Sequence, residues 1–310
     1  MKTSVALCTY NGEKFLREQL ASIMIQTKPV DEIIVCDDGS TDSTLQIVEE
    51  YERNYPGIFK IHLNEINLRS VKNFEKAISL CENEIIFLCD QDDVWKPEKV
   101  NLFLDYFERN PIINVISSSA ELIDESGVLI KKTTIWDVIN LLNGRSISYD
   151  YFQIFSLVGN LATGANMAFR KDFVNSILPF PNRFFHHDEW ISLASSSKNQ
   201  FLFLSEKPSF YRIHEQQQVG SVFFSDDKNT ESKLIERFDV YNKKDTFRLL
   251  KRRFSILKKN KKKILLIDNF EENVLLVKIL AKINKYEVDL LEKLRKENFL
   301  KHQLLKLLYF

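Results

Sequence analysis

The four cysteines of this 310-residue chain, Cys8, Cys36, Cys81 and Cys89, form no C-x-x-C pair and no zinc spacing. That argues against a disulfide framework or a structural zinc module. Free buried thiols in a reducing compartment are the simplest reading. Long apolar runs are missing as well: none approaches the roughly 18 residues needed to span a bilayer. The N-terminal run SVALC is too short for a signal-peptide h-region and no small-residue cleavage pattern follows, so a cytoplasmic protein is expected. Net charge is absent overall, with 43 Lys and Arg against 43 Asp and Glu. The balance is not local. Between Glu231 and Phe310 there are 21 Lys and Arg against 11 Asp and Glu, so an acidic body carries a basic tail. The chain shows no internal repeat, and from about residue 230 it has neither glycine nor proline.

What is present is the profile of a soluble globular protein, 44% apolar and 28% charged, long enough for one large domain or two ordinary ones. Strand-like runs at 4–9, 32–37, 58–63, 84–90 and 113–119 alternate with helical segments. In EKFLREQLASIMIQT, Phe15, Leu16, Leu20, Ile23 and Met24 share one helical face. Helices are expected from Thr41 to Tyr55 and from about Ser70 to Cys81, and another with Pro97 in its first turn. Strands separated by helices of this length predict an α/β fold with a mostly parallel, doubly wound central sheet flanked by helices. Residues 120–215 are less regular and read as the second half of the same domain. We divide the chain into a domain over 1–225, with halves at 1–120 and 121–225, and a basic, helical C-terminal region over 226–310.

Each early strand ends in polar residues: TYNGE (9–13), DDGSTDST (37–44) and DQDD (90–93). In open α/β sheets, ligands bind outside the carboxyl ends of the strands. DDGSTDST reads equally as a turn with a helix cap or as a nucleotide site in which Asp38 accepts hydrogen bonds from a base or ribose. DQDD is harder to explain as a turn alone. Asp90 and Asp92 are two apart, so in extended geometry they project to the same side. Like charges so close raise each other's pKa, and a hard divalent cation shared with substrate phosphates removes that penalty.

These stretches together carry a resemblance. ALCTYNGEKFLREQLASI, IIVCDDGSTDST, VKNFEKAI and IIFLCDQDDVWKPEK are similar, in order and spacing, to the donor-binding half of the family 2 glycosyltransferases with a GT-A fold. The DQDDVW variant resembles that of bacterial rhamnosyltransferase-like enzymes of surface-polysaccharide synthesis. The likeness covers about residues 3–215 and does not reach the tail. It implies that Thr9, Tyr10, Asn11, Glu13, Asp38, Lys72, Asp90, Gln91 and Asp93 serve the nucleotide-sugar donor. It implies Asp92 as the principal ligand of Mg2+ or Mn2+, with Asp90 and His214 as further ligands. TGANMAF and HHDEW imply an acceptor side of Gly164, Asn166, His187, Glu189 and Trp190, with Asp188 as catalytic base and Glu189 as its rival. Arg69 departs from the family, which often has Gly there.

The implied function is a metal-dependent, inverting transfer of one sugar, from dTDP-rhamnose or a UDP-hexose, to a glycan acceptor that is lipid-linked. The Q-x-x-R-W pattern of processive synthases is absent after residue 215. A sugar nucleotidyltransferase and a non-catalytic sugar-nucleotide or glycan-binding protein are the alternatives, although TYNGEKF is a poor match to the former's Gly-rich basic loop. The basic stretch 251–310 reads either as a solvated face or as peripheral contact with an anionic membrane at its inner, cytoplasmic side. Nucleic acid is not an expected partner, because no aromatic-interleaved or groove-reading motif accompanies the basic run.

Overall fold

The computed structural model describes residues 1–181, 184–215, 222–224, 227–242, 245–267, 272–297, 299 and 302–303. Parts of two expectations, 216–220 beside His214 and 268–271, 298, 300–301 and 304–310 of the basic tail, lie outside the described residues. The first half runs β1 (Thr3–Thr9), α1 (Leu16–Met24), β2 (Glu32–Asp37), α2 (Thr44–Asn54), β3 (Phe59–Leu63), α3 (Arg69–Leu80) and β4 (Ile85–Cys89). It continues through β5 (Val94–Trp95), α4 (Lys99–Arg109) and β6 (Val115–Ser118). Next come β7 (Glu121–Ile123), β8 (Leu129–Ile130), α5 (Val138–Asn143), α6 (Tyr151–Leu157), β9 (Met167–Arg170) and α7 (Lys171–Val174). The chain then forms α8 (His187–Ser197), β10 (Phe201–Leu204) and β11 (Ser209–Arg212), followed by helices α9 (Thr230–Phe238), α10 (Phe247–Leu265) and α11 (Val274–Glu297).

Seven strands build the main sheet in the order β10-β6-β9-β4-β1-β2-β3. All its neighbours pair in parallel except β9, which runs antiparallel to both β4 and β6. A small second sheet, β5-β11-β7-β8, stands beside it. The strands β1, β2 and β3 step outward in one direction, while β4 joins the other side of β1. That reversal opens a crevice at the carboxyl ends of β1 and β4, where such folds bind ligands.

The inner strands β1, β2 and β4 are buried on both faces, which is why they read as continuous apolar runs. Val5 and Leu7 of β1, Ile33 and Val35 of β2, and Ile85 and Phe87 of β4 pack with α1 and with Phe103 and Phe107 of α4. The alternate residues Ala6, Ile34, Ile86 and Leu88 turn to the opposite core with Phe74 and Ile78 of α3 and Trp190 of α8. The C-terminal helices are part of that second core through Phe238, Phe254, Leu257, Ile264, Ile279 and Ile283. Inside this region the buried Arg253 pairs with the buried Asp245 and donates to the Asp239 carbonyl at 2.7 Å. No helix among the described residues is long and apolar enough to cross a membrane.

Three local differences from the sequence reading have physical causes. Pro97 precedes α4 rather than entering its first turn, and its carbonyl accepts the Thr27 backbone N–H at 2.9 Å. The basic run is not simply a solvated face: Arg253 is buried, and Lys258 and Lys261 both bind Glu287 of α11, at 2.8 and 2.6 Å. The turn at Arg69 keeps a left-handed backbone, φ 63°, although the residue is not glycine. The Arg69 and Leu68 N–H groups both donate to Asp38, at 2.8 and 2.6 Å, and these bonds hold the residue there. Left-handed backbone costs an L-residue about 1–2 kcal/mol, part of which glycine gives back through its more flexible unfolded chain. Arg69→Gly is therefore expected to raise stability by about 0.5–1 kcal/mol in urea unfolding, and Arg69→Val to lower it; a clear loss in the glycine variant would show that the strain argument is wrong.

Candidate active site

The loops after β1 and β2 are laced together by short polar side chains. Asp37 accepts from the Thr9 and Ser40 hydroxyls, at 2.7 and 2.6 Å, and from the backbone of Gly39 and Ser40. Asn11, itself at φ 48°, accepts the Thr41 N–H at 2.8 Å, and Glu13 accepts that of Ser43 at 2.8 Å. Tyr10 is left 45% exposed at the mouth of the crevice. The Gln91 amide grips its backbone on both sides, accepting from Tyr10 N at 2.8 Å and donating to Tyr10 O at 3.1 Å. Gly12 makes that approach feasible, since a Cβ there would lie 2.3 Å from Gln91 Oε1. Thr9 is buried beneath this surface. Asp38 is only 4% exposed, and its carboxylate accepts from Asn64, Leu68 and Arg69. Lys72 binds Glu75 at 2.6 Å and lines an open groove of about 480 Å³ between α3 and Leu178–Pro179.

The DQDD segment follows β4 directly, and its three carboxylates occupy different environments. Asp92 meets His214 Nε2 at 2.8 Å. Asp93 turns inward, 3% exposed, and accepts the Arg212 N–H at 3.0 Å. Asp93 was expected to serve the donor; in this structure it supports the segment from below. Among the described residues the Asp90 side chain has no hydrogen-bond partner. Burial, and then the charges of Asp92 and Asp188, push Asp90 up to about 7. Two buried cations counter the cluster. Lys99 donates to the Ala165 carbonyl at 2.9 Å and lies 4.2 Å from the Trp95 ring centre. Burial lowers Lys99 to about 8 while Cys89, Asp93 and Asp90 pull it back up. Arg212 donates to the Asp92 carbonyl at 2.8 Å, to the Asp124 and Glu125 carbonyls at 3.2 Å each, and to the Glu18 carboxylate.

Across the crevice, α8 begins at His187. Asp188 sits in its first turn, where its Oδ1 accepts the Glu189 N–H at 2.7 Å. Burial raises Asp188 to about 6. The side chain of Glu189 turns away and binds Lys263 of α10 through both oxygens, at 2.9 and 3.0 Å. Of the expected acceptor side, several residues lie under the surface rather than on it. Trp190 is 3% exposed, with its indole N–H donating to the Ile177 carbonyl at 2.9 Å, so it is a core residue. Asn166 is fully buried and bonded to Thr163 and Ser209. Gly164 is buried against His187, whose Nε2 would lie 2.4 Å from a Cβ at 164. Among the described residues neither ring nitrogen of His187 has a hydrogen-bond partner, and burial lowers this imidazole to about 3, so it stands neutral beside the Phe74 ring.

The fold thus brings Tyr10, Asn11, Glu13, Asp90, Gln91, Asp92 and His214 to one side of the crevice, and Asp188 to the other. Lys99, Arg212 and Lys263 were missed by sequence reasoning. Lys99 carried a signal, since it stands four residues before Phe103 on the buried stripe of α4. Arg212 and Lys263 carried none, because their partners are far away in the chain.

A divalent cation fits the donor chemistry in part. Among the described residues no three His, Cys, Asp or Glu side chains are grouped to hold a metal ion alone. Ions of the Mg2+ type need only one or two carboxylates when substrate phosphates complete the shell. The unpartnered Asp90 and the adjoining Asp92 and His214 suit such a shared site.

A family model described as Glycosyl transferase family 2 matches residues 4–178. The dTDP-rhamnosyl transferase RfbG of Shigella flexneri is 30% identical over 227 residues, 69% of this chain and 74% of its own. Other curated relatives are longer, this chain spanning 65% of one from Nostoc and 36% of one from Mycobacterium bovis. Among solved structures, S. aureus TarS in complex with UDP-GlcNAc aligns at TM-score 0.53 and 22% identity, covering 91% of this chain and 71% of that one. The mannosyltransferase PcManGT of Pyrobaculum calidifontis, in complex with GDP-Man and Mn2+, aligns at TM-score 0.55 and 13% identity, covering 93% and 87%. At these identities the structural likeness shows the fold alone.

Proposed function

The chain belongs to glycosyl transferase family 2 and has the GT-A fold, and from that premise we propose that it transfers one sugar from a nucleoside-diphosphate sugar to a glycan acceptor, with inversion at the anomeric carbon. The observation that carries this reading is the pairing across one crevice of the Asp90–Asp92 edge with Asp188, a carboxylate raised to about 6. Asp92 and His214, with Asp90 beside them, would hold Mg2+ or Mn2+, which when bound would offset negative charge gathering on the departing diphosphate. Asp188 takes the acceptor hydroxyl's proton as that oxygen bonds the anomeric carbon and the bond to the diphosphate breaks on the opposite face. A carboxylate with this pKa is mostly ionised at pH 7 yet more basic than an ordinary one. Glu189 is the weaker candidate, because both of its oxygens are engaged by Lys263.

Tyr10, Asn11, Glu13, Asp38, Lys72 and Gln91 would receive the nucleotide around the β1 and β2 ends, although Asp38 must first loosen one of its bonds to 64–69. The name of the Shigella flexneri relative supports dTDP-rhamnose as donor, with a UDP-hexose the next choice. A lipid-linked acceptor of bacterial surface-polysaccharide synthesis, met at the inner face of the membrane, completes the reading. The exposed Lys251, Arg252, Lys259 and Lys262 of α10 are the groups that would touch an anionic leaflet. Replacing these four by Gln should reduce co-sedimentation with phosphatidylserine vesicles, and unchanged sedimentation would remove the membrane from the account.

A panel of dTDP-rhamnose, UDP-glucose and UDP-galactose, assayed with Mn2+ and glycan acceptors, tests the reaction class. Sugar transfer with nucleoside-diphosphate release is expected; pyrophosphate release would mean a nucleotidyltransferase, and neither product a binding protein. Asp188→Asn should lower kcat by about 100-fold or more, the usual contribution of a general base. Asp188 works ionised and its pKa is raised, so kcat/KM should fall as pH drops through about 6 and level off above it. Full turnover by Asp188→Asn would refute the base assignment.

A further inference from the structure

Helix α8 is gripped at both ends by lysines from the C-terminal helices. At its start, the Lys263 ammonium of α10 binds both oxygens of Glu189 and lies 4.4 Å from the Phe185 ring centre. The Lys263 side chain is 16% exposed and that of Glu189 28%, so this is not a loose surface pair. At its end, Lys282 of α11 donates to the carbonyl of Ser197, the last residue of α8. An acidic first turn and a cation on the final carbonyl both agree with the direction of the helix dipole. The lysine-bearing helices are themselves fixed. Asn260 donates to the Ser156 carbonyl of α6 at 3.1 Å, and Glu287 joins α10 to α11 through Lys258 and Lys261.

Glu189 links this grip to the chemistry, because its backbone N–H is the donor that orients the Asp188 carboxylate, at 2.7 Å. Whatever fixes Glu189 also fixes that N–H. We propose that α10 and α11 form a brace for the catalytic helix, with Lys263 as a positioning residue that aims Asp188 at the acceptor hydroxyl. The proposal rests on the reading of Asp188 as the base. It gives the basic C-terminal region a role inside the enzyme, separate from any contact with a membrane. On this proposal Lys263 acts through Glu189, so its removal is expected to act on turnover and not on donor binding.

The test uses the full chain with Lys263→Met and Lys263→Arg. It combines steady-state kinetics in Mn2+, melting temperature and amide hydrogen exchange over residues 186–197. Misaiming a reacting group by an ångström costs up to about 100-fold, so Lys263→Met should lower kcat by about 10–100-fold. Its donor KM should stay within about two-fold, the signature of an effect on turnover alone. Exchange in the first turn of α8 should quicken, and Lys263→Arg should restore both kcat and protection. A wild-type kcat in Lys263→Met, or equal losses in both variants accompanied by a large drop in melting temperature, would overturn the brace. If wild-type protein transfers no sugar at all, the functional reading fails by itself. Exchange then decides the brace: quickened and rescued by Arg upholds it, unchanged overturns it.

Discussion

Negative charge brought to the buried end of β4 is the constraint around which the rest of the molecule is arranged. Three aspartates in four residues follow a strand covered on both faces, where water is scarce and like charges are poorly screened. The protein answers with two buried cations, Lys99 and Arg212, and with a histidine beside Asp92. Arg212 binds the DQDD segment through backbone and carbonyl groups, so it fixes the turn without neutralising each carboxylate. Lys99 is close enough to Asp93 and Asp90 for their charges to raise its pKa against the effect of burial. What is left over is the pair of groups at the crevice, Asp90 and Asp92, with charge to share with a bound cation.

The donor side of the crevice follows a second rule: short polar side chains hold long loops in place. Asp37 organises the turn after β2, Asn11 and Glu13 bind that turn from the neighbouring loop, and Gln91 pins Tyr10 like a strand partner. Asp38 reaches the other way and secures 64–69, holding Arg69 in a backbone conformation that glycine would adopt more readily. The walls of the crevice are thus set by hydrogen bonds among residues proposed to meet the nucleotide. On the proposed reading, binding of a nucleotide's base at Asp38 would have to compete with those internal bonds.

Much of this was legible in the sequence, for reasons of range. The strands and helices of the first half follow from local apolar periodicity, and the three polar clusters fall at one sheet edge because parallel strands share a direction. The left-handed turn at Arg69 was foreseeable only as a departure from a family pattern. Burial was harder to read. Asp93, Asn166 and Trp190 sit in motifs beside the candidate site residues, yet the local backbone turns each of them inward. The cations that hold the site together are Lys99, Arg212 and Lys263. Arg212 stands 120 positions from Asp92 and Lys263 stands 74 from Glu189, so no local pattern announces either pairing.

The C-terminal helices add a further layer, since they share the core under α8 and hold its two ends. The central claim nonetheless concerns the crevice itself: that Asp92 and its neighbours take a divalent cation together with a diphosphate. Calorimetric titration of UDP and dTDP into the full chain, with Mn2+ and with EDTA, measures this directly. The account predicts binding at least about ten-fold tighter with Mn2+, a difference of about 1.4 kcal/mol, and predicts that Asp92→Ala abolishes the difference. Equal affinity with and without the cation in the wild-type protein would contradict it.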